Sequence, residues 1–235
     1  MPETIYGVRP VIEALRGGRR KVFEVLDATG NAEVANVARA AGVPVRKVPQ
    51  AKIGELARGG VHQGIAARAE PYPYVELEDL LATPDPLVVA LDGVTDPQNL
   101  GAVLRVADGA GASGVVIPKD RAAGVTAAAV KASAGASEHV PVARVTNLRR
   151  RAVDLMKDAG LWVYAAEVGG MPHTDLDLTG PVGLVLGSEG QGVRRLVREG
   201  CDGTVSIPML GAVGSLNVSV AAAVLLYEAR RQRGR

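Results

Sequence analysis

Asn99 and Arg105 stand six residues apart in DPQNLGAVLRVADGAGASGVVIP, Gly187 and Glu189 sit in LGSEGQGVRR, and Ser215 and Asn217 flank Leu216 in GSLNVSVAAAVLLYEA. Each stretch leaves an apolar run that reads as a strand and passes towards one that reads as a helix. Loops of this kind bind ligands in α/β sheets, beyond the C-terminal ends of the strands. An arginine there offers donors only, an asparagine both a donor and an acceptor, and a carboxylate an acceptor that can orient either. Ser and Asn also cap helices, because their oxygens satisfy first-turn N–H groups that lack a partner. One cap would suffice for the last helix. Two polar groups around Leu216, just after a Gly-rich turn, are equally suited to the wall of a binding site.

The elements that must hold these residues alternate. Arg9–Arg16 and Asn31–Ala41 read as helices, and residues 21–26, 44–48 and 64–69 as short strands. A stretch with four prolines and five acids, residues 70–86, then reads as a linker able to wrap over a surface. Beyond it, residues 87–94, 114–118, 140–145, 161–168, 183–188 and 204–209 read as strands, with helical patterns between several of them. Strands interleaved with helices predict a mostly parallel sheet in each part. The expected division is 1–69, a small α/β unit; 70–86, the linker; and 87–235, the larger unit. The final run, VSVAAAVLLY, is apolar on nearly every side and needs covering by its own core and by a second chain.

Composition narrows the function classes. The chain of 235 residues is 47% hydrophobic but only 3% aromatic, so Val, Leu, Ile and Ala must build its core. One cysteine, Cys201, forms no internal disulfide and fits a reducing compartment; with no signal sequence evident, a cytoplasmic location is expected. Val218–Tyr227 is too short to span a bilayer. His62, His139 and His173 are far apart with no carboxylate or thiol at ligand spacing, so no metal is expected. GAGASG, residues 109–114, matches a dinucleotide fingerprint, but it follows a helix and leads into a strand, which suits a tight turn better. GSEG lacks a residue of the nucleophile elbow. Residues 1–69 carry eleven Lys and Arg against six Asp and Glu, an electrostatic footprint suited to nucleic acid.

Taken in order, the three stretches of the opening resemble the three motifs of the SpoU/TrmH family of RNA ribose 2′-O-methyltransferases, over residues 87–233. Upstream, IYGVRPVIEAL and VHQGIAAR resemble the start and end of the small substrate-binding domain of the RlmB-like branch, which modifies a guanosine in large-subunit (23S) rRNA. The resemblance implies a SPOUT-type catalytic domain with a parallel sheet and a C-terminal trefoil knot, S-adenosylmethionine as cofactor, and a homodimer. General rules of chain topology would have excluded a knot.

The resemblance also implies roles. Arg105 corresponds to the catalytic arginine; holding a phosphate and stabilising a developing alkoxide suits it better than taking a proton. Asn99 would cap its helix and form a polar wall of the substrate site, with capping alone as the competing reading. Glu189 would orient Arg105 or another donor, or be a solvated loop acid. Ser215 and Asn217 would cap the last helix and also face the target ribose and the cofactor. Gly187, Ile207 and Leu216 match cofactor contacts made largely through backbone groups, and Met209 would shape the same pocket. Arg9, Arg19, Arg20, Lys21, Arg46 and Lys47 are candidates for phosphate contacts, which position RNA without reading its sequence. His62 and Gln63 would contact RNA, dock the small unit on the large one, or form an ordinary turn. Rival readings are a tRNA or resistance-type rRNA ribose methylase, and a non-catalytic RNA-binding or assembly protein.

Overall fold

The structure, a computed structural model, describes residues 2–188 and 190–234. The first sheet is built from β1 (Glu3–Tyr6), β2 (Val22–Asp27), β3 (Val45–Lys47) and β4 (Ile65–Ala69), with α1 (Val8–Gly17), α2 (Ala32–Ala40) and α3 (Gln50–Ala57) between them. Its order is β1-β4-β2-β3. Only β2 and β3 pair in parallel, whereas β4 runs antiparallel to both its neighbours. The expectation of a mostly parallel sheet therefore fails here: β4 returns between β1 and β2 instead of adding at an edge. Asn31 caps α2 by accepting a hydrogen bond from Val34 N at 3.0 Å.

The acidic stretch 70–86 is not featureless. It contains α4 (Leu77–Leu81), opened by a capping box between Glu76 and Asp79. Tyr72 is buried, with its hydroxyl donating to Val140 O at 3.0 Å. Val75 bridges to Ala143 in parallel.

The second sheet has six strands, all parallel: β5 (Leu87–Asp92), β6 (Gly114–Pro118), β7 (Val142–Val145), β8 (Trp162–Pro172), β9 (Val182–Gly187) and β10 (Gly203–Ser206), in the order β10-β8-β9-β5-β6-β7. The helices beside it are α5 (Pro97–Ala110), α6 (Ala127–Ala132), α7 (Asp154–Asp158), α8 (Arg195–Arg198) and α9 (Val218–Gln232). A parallel sheet must be covered on both faces, and the strands show it. Val89, Leu91, Leu184 and Leu186 join one buried cluster with Leu100, Leu104, Leu225 and Leu226, while Val88, Ala90, Val163 and Val185 join another with Leu80, Val153 and Met156. Gly111, in GAGASG, takes φ of 66° at the end of α5, so the stretch is the tight helix-to-strand turn expected of it.

Helix caps fall differently from the expectation. Asp96, not Asn99, caps α5, accepting from Gln98 N at 2.9 Å with Pro97 as the first helical residue. Asn217 alone caps α9, its Oδ1 accepting from Ser219 N at 2.9 Å. Ser215 lies two residues before that cap and makes no cap bond among the described residues.

The two sheets share one core. Ile5, Val11, Ile12 and Ala67 of the first belong to the same buried cluster as Ala129 and Val130 of α6. At its rim Arg20, with its side chain 1% exposed, donates from Nη2 and Nε to the two oxygens of Glu138, at 2.5 and 3.1 Å. This corrects the reading of Arg20 as a phosphate contact: its guanidinium is consumed by a carboxylate that is itself fully buried. Breaking such a pair leaves one charge buried without compensation. Glu138→Ala is therefore expected to lower unfolding free energy by about 3–5 kcal/mol in urea titrations, and Arg20→Met with Glu138→Leu to cost far less; a single variant as stable as the parent would contradict this. In the same assay Asn217→Ala should cost about 1 kcal/mol, the usual worth of a cap, and Ser215→Ala about 0.5 kcal/mol or less. The reverse order would move the cap to Ser215.

Candidate active site

Beside the middle of β8 and the C-terminal ends of β9 and β10 lies a cavity of about 290 Å³. Its walls are Ala166–Val168, Leu186–Ser188, Gly190–Gly192 and Val205–Ile207, and it is closed by Met209, Gly214–Leu216 and the first turns of α9. Gly187, Ile207, Met209 and Leu216 all line it, as does Ser215. The glycine at 187 is a steric requirement, because a Cβ there would collide with the backbone of Gly192 and Val193, where the loop after β9 folds back.

Two contacts hold the loops in place. Asp92, 1% exposed at the end of β5, accepts from Arg194 N at 2.8 Å and from Arg194 Nε at 2.7 Å, which pins the glycine loop to the neighbouring strand. Asn217, between the lining residues Leu216 and Val218, donates from Nδ2 to Asn99 Oδ1 at 2.9 Å. The mouths of α5 and α9 are thereby tied together. Neither Asp92 nor Arg194 was singled out in the sequence, although an aspartate ending an apolar strand is the available signal.

Glu167 was also missed. It lines the cavity, and its buried Oε2 forms an ion pair with Arg198 Nη1 at 3.3 Å but no hydrogen bond among the described residues. An acceptor so placed calls for a donor from whatever fills the cavity. With apolar walls, exposed backbone and, among the described residues, one carboxylate, the cavity suits a ligand that combines a flat apolar part with hydroxyl or cationic groups.

Arg105 is exposed on α5, without a hydrogen bond or ion pair to any described residue, and no residue of α5 lines the cavity of its own chain. Glu189 lies outside the described residues. Among the described residues, no cluster of His, Cys, Asp and Glu could hold a metal, and no helix is long and apolar enough to cross a membrane. On the small sheet, Arg9, Lys21, Arg46 and Lys47 are exposed, with Arg9 3.2 Å from Glu33 and Arg46 3.4 Å from Glu24. Arg19 donates to His139 O at 3.1 Å. Gln63 accepts from Lys131 Nζ at 2.7 Å, which is the docking alternative, while His62 Nδ1 accepts from Gly64 N at 3.1 Å within a turn.

The chain resembles known proteins over nearly its whole length. Residues 86–227 match the SpoU rRNA Methylase family, and residues 4–75 match a unit described as RNA 2′-O ribose methyltransferase substrate binding. The chain is 43% identical to the 23S rRNA (guanosine-2′-O-)-methyltransferase RlmB of Haemophilus influenzae, over 99% of each chain. It is 41% identical to the putative TrmH family tRNA/rRNA methyltransferase YacO of Bacillus subtilis, over 97% of this chain and 95% of that one. The crystal structure of the SpoU methyltransferase AviRb from Streptomyces viridochromogenes, in complex with AdoMet, superposes with a TM-score of 0.85 at 30% identity, over 99% of this chain and 90% of that one. The chain thus belongs to the SpoU methylase family of RNA methyltransferases, with the family's substrate-binding unit ahead of its methylase domain.

Proposed function

We propose that this protein transfers a methyl group from S-adenosylmethionine to the ribose 2′-oxygen of a guanosine in 23S rRNA, as a cytoplasmic homodimer whose C-terminal segment forms a trefoil knot. The observation that carries the reading is the Asn99–Asn217 bond at the lip of the cavity lined by Gly187, Ile207, Met209 and Leu216. It joins a ligand cavity to polar groups able to hold a ribose. Near-full-length identity to the Haemophilus enzyme favours rRNA over tRNA.

The cavity fits the cofactor. Apolar Leu186, Ile207 and Leu216 suit an adenine, backbone groups of the glycine loop suit its polar edge, and the Glu167 carboxylate, ion-paired to Arg198, can still accept from a hydroxyl group. When bound, S-adenosylmethionine supplies a methyl group made electrophilic by its sulfonium. The chain does the rest by positioning, which can account for several kcal/mol of a barrier. Asn99 and Asn217 hold the ribose edge. Ser215, on the cavity wall, orients the hydroxyl. Arg105 holds an adjacent phosphate and stabilises charge building on the 2′-oxygen, since a guanidinium has donors but no acceptor. Glu189 would orient Arg105. Residues 1–69 form the unit that grips RNA through Arg9, Lys21, Arg46 and Lys47, with residues 70–86 as its linker.

Dimerisation explains why Arg105 stands away from its own cavity. Val220 and Tyr227 lie one heptad apart on α9, exposed by 46% and 53%, and present an apolar stripe that a second copy would cover. Arg105 of one protomer then acts in the partner's site.

Purified protein with labelled S-adenosylmethionine should methylate one guanosine ribose of a 23S rRNA transcript or ribosomal precursor, with activity unchanged by EDTA. Arg105→Ala should lower that rate by about 100-fold or more, the scale for losing a transition-state donor, while cofactor affinity stays within twofold. Transfer to tRNA alone would favour the rival substrate. Separately, Arg105→Ala and Asn217→Ala subunits, mixed and exchanged, should regain activity in about half the sites of each heterodimer, because one site collects both defects and the other neither. Folded heterodimers as inactive as their parents would place both residues in one chain's site.

A further inference from the structure

A basic shelf lies beside the site and is not among the residues considered so far. The loops after β6 and β7 leave the same edge of the sheet as the loop that leads from β5 to Asn99, since all three strands are parallel and adjacent. The first carries Lys119 and Arg121, and the second leads at once into a helical turn, Arg149–Val153, that carries Arg149, Arg150 and Arg151. Arg144, near the end of β7, joins them: its Nη2 donates to Lys119 O at 3.1 Å, and its guanidinium sits 4.7 Å from the centre of the Tyr74 ring. Tyr74 is itself fixed, accepting through its hydroxyl from Val125 N at 2.9 Å.

The acids nearby are few. Asp154 pairs with Arg149, Glu78 lies 4.0 Å from Arg151, and Asp120 sits between the two loop cations. Lys119, Arg121, Arg144 and Arg150 are all exposed and have no ion-pair partner among the described residues. No exposed large hydrophobic residue falls in 119–121 or 144–151, so the shelf has cations but lacks the apolar anchors of a protein interface. Four unpaired cations on three neighbouring segments, one of them a stacked guanidinium plane, match a row of phosphates.

We propose that this shelf holds the phosphates of the RNA strand that flanks the target nucleotide on one side. The inference rests on the RNA-methylating function proposed above. Adjacent strands are about 4.8 Å apart, so β7 stands roughly 10 Å to one side of β5. That is about three phosphates along a stacked strand at about 3.4 Å each. The shelf therefore grips the substrate close to the reacting ribose, whereas the small unit grips it elsewhere.

The test compares the full chain with a Lys119→Ala, Arg121→Ala, Arg150→Ala variant on a 23S rRNA fragment that the parent methylates. Binding is measured across salt concentrations, and hydroxyl-radical footprints are taken around the methylated nucleotide. Losing three phosphate contacts should lower the slope of log K against log salt by about 2, at about 0.7 per contact on a single strand. Protection should vanish within about three nucleotides on one side of the target. Affinity for S-adenosylhomocysteine, read by calorimetry, should stay unchanged and so report an intact fold. A variant with the parent's slope and footprint overturns the shelf while leaving the methyltransferase reading standing. A parent that neither binds nor methylates the RNA overturns both.

Discussion

The side chain of Asn217 binds in two directions at once, and the geometry of the site depends on both. Its oxygen closes the first turn of α9, and its amide nitrogen reaches Asn99 in the first turn of α5. Through two residues 118 apart in sequence, the mouths of α5 and α9 are thereby brought together. The Ile207–Leu216 loop, which leads into α9, then closes over the middle of β8 and the ends of β9 and β10 and leaves a cavity instead of filling the space. Asp92 completes the frame from the other side by holding the glycine loop through Arg194. The positioning chemistry proposed for the site needs such a frame, because a ribose held by hydrogen bonds gains only from donors that do not move.

The first sheet is held to this frame more firmly than a linker of prolines and acids suggests. Arg20 and Glu138 bury opposite charges against each other, Tyr72 reaches Val140, and Glu13 meets His139 at 2.9 Å. The common apolar cluster runs through α1 and α6. The exposed cations of the small unit and those of the shelf beyond β6 and β7 therefore occupy fixed positions with respect to the cavity. A substrate gripped by both is oriented before its ribose meets the site.

Much of this was legible in the sequence, for reasons tied to particular residues. The strands of the second sheet are apolar runs bounded by glycine and proline, and β6 was read with its observed limits. Gly187, Ile207, Met209 and Leu216 were placed by resemblance, and the structure gathers all four around one cavity. Short elements escaped: β1 has only four residues, and α3 follows Pro49 without a side-chain cap. The antiparallel return of β4 leaves no local trace. Arg20 was misread because charge counting cannot see a partner 118 residues away. Asn99 was read as a cap as well as a polar wall of the site, although Asp96-Pro97 carried the stronger capping signal. The shelf was overlooked because its cations come from a loop, a strand and a helical turn, each unremarkable alone.

The most direct test of the account is a map of ribose 2′-O-methyl groups on the large-subunit rRNA of cells with and without this protein, by mass spectrometry of nuclease fragments. The account predicts the loss of a single methylated guanosine, restored by the parent chain and not by Arg105→Ala. An unchanged large-subunit map, with the missing methyl group found on tRNA or nowhere, would contradict it.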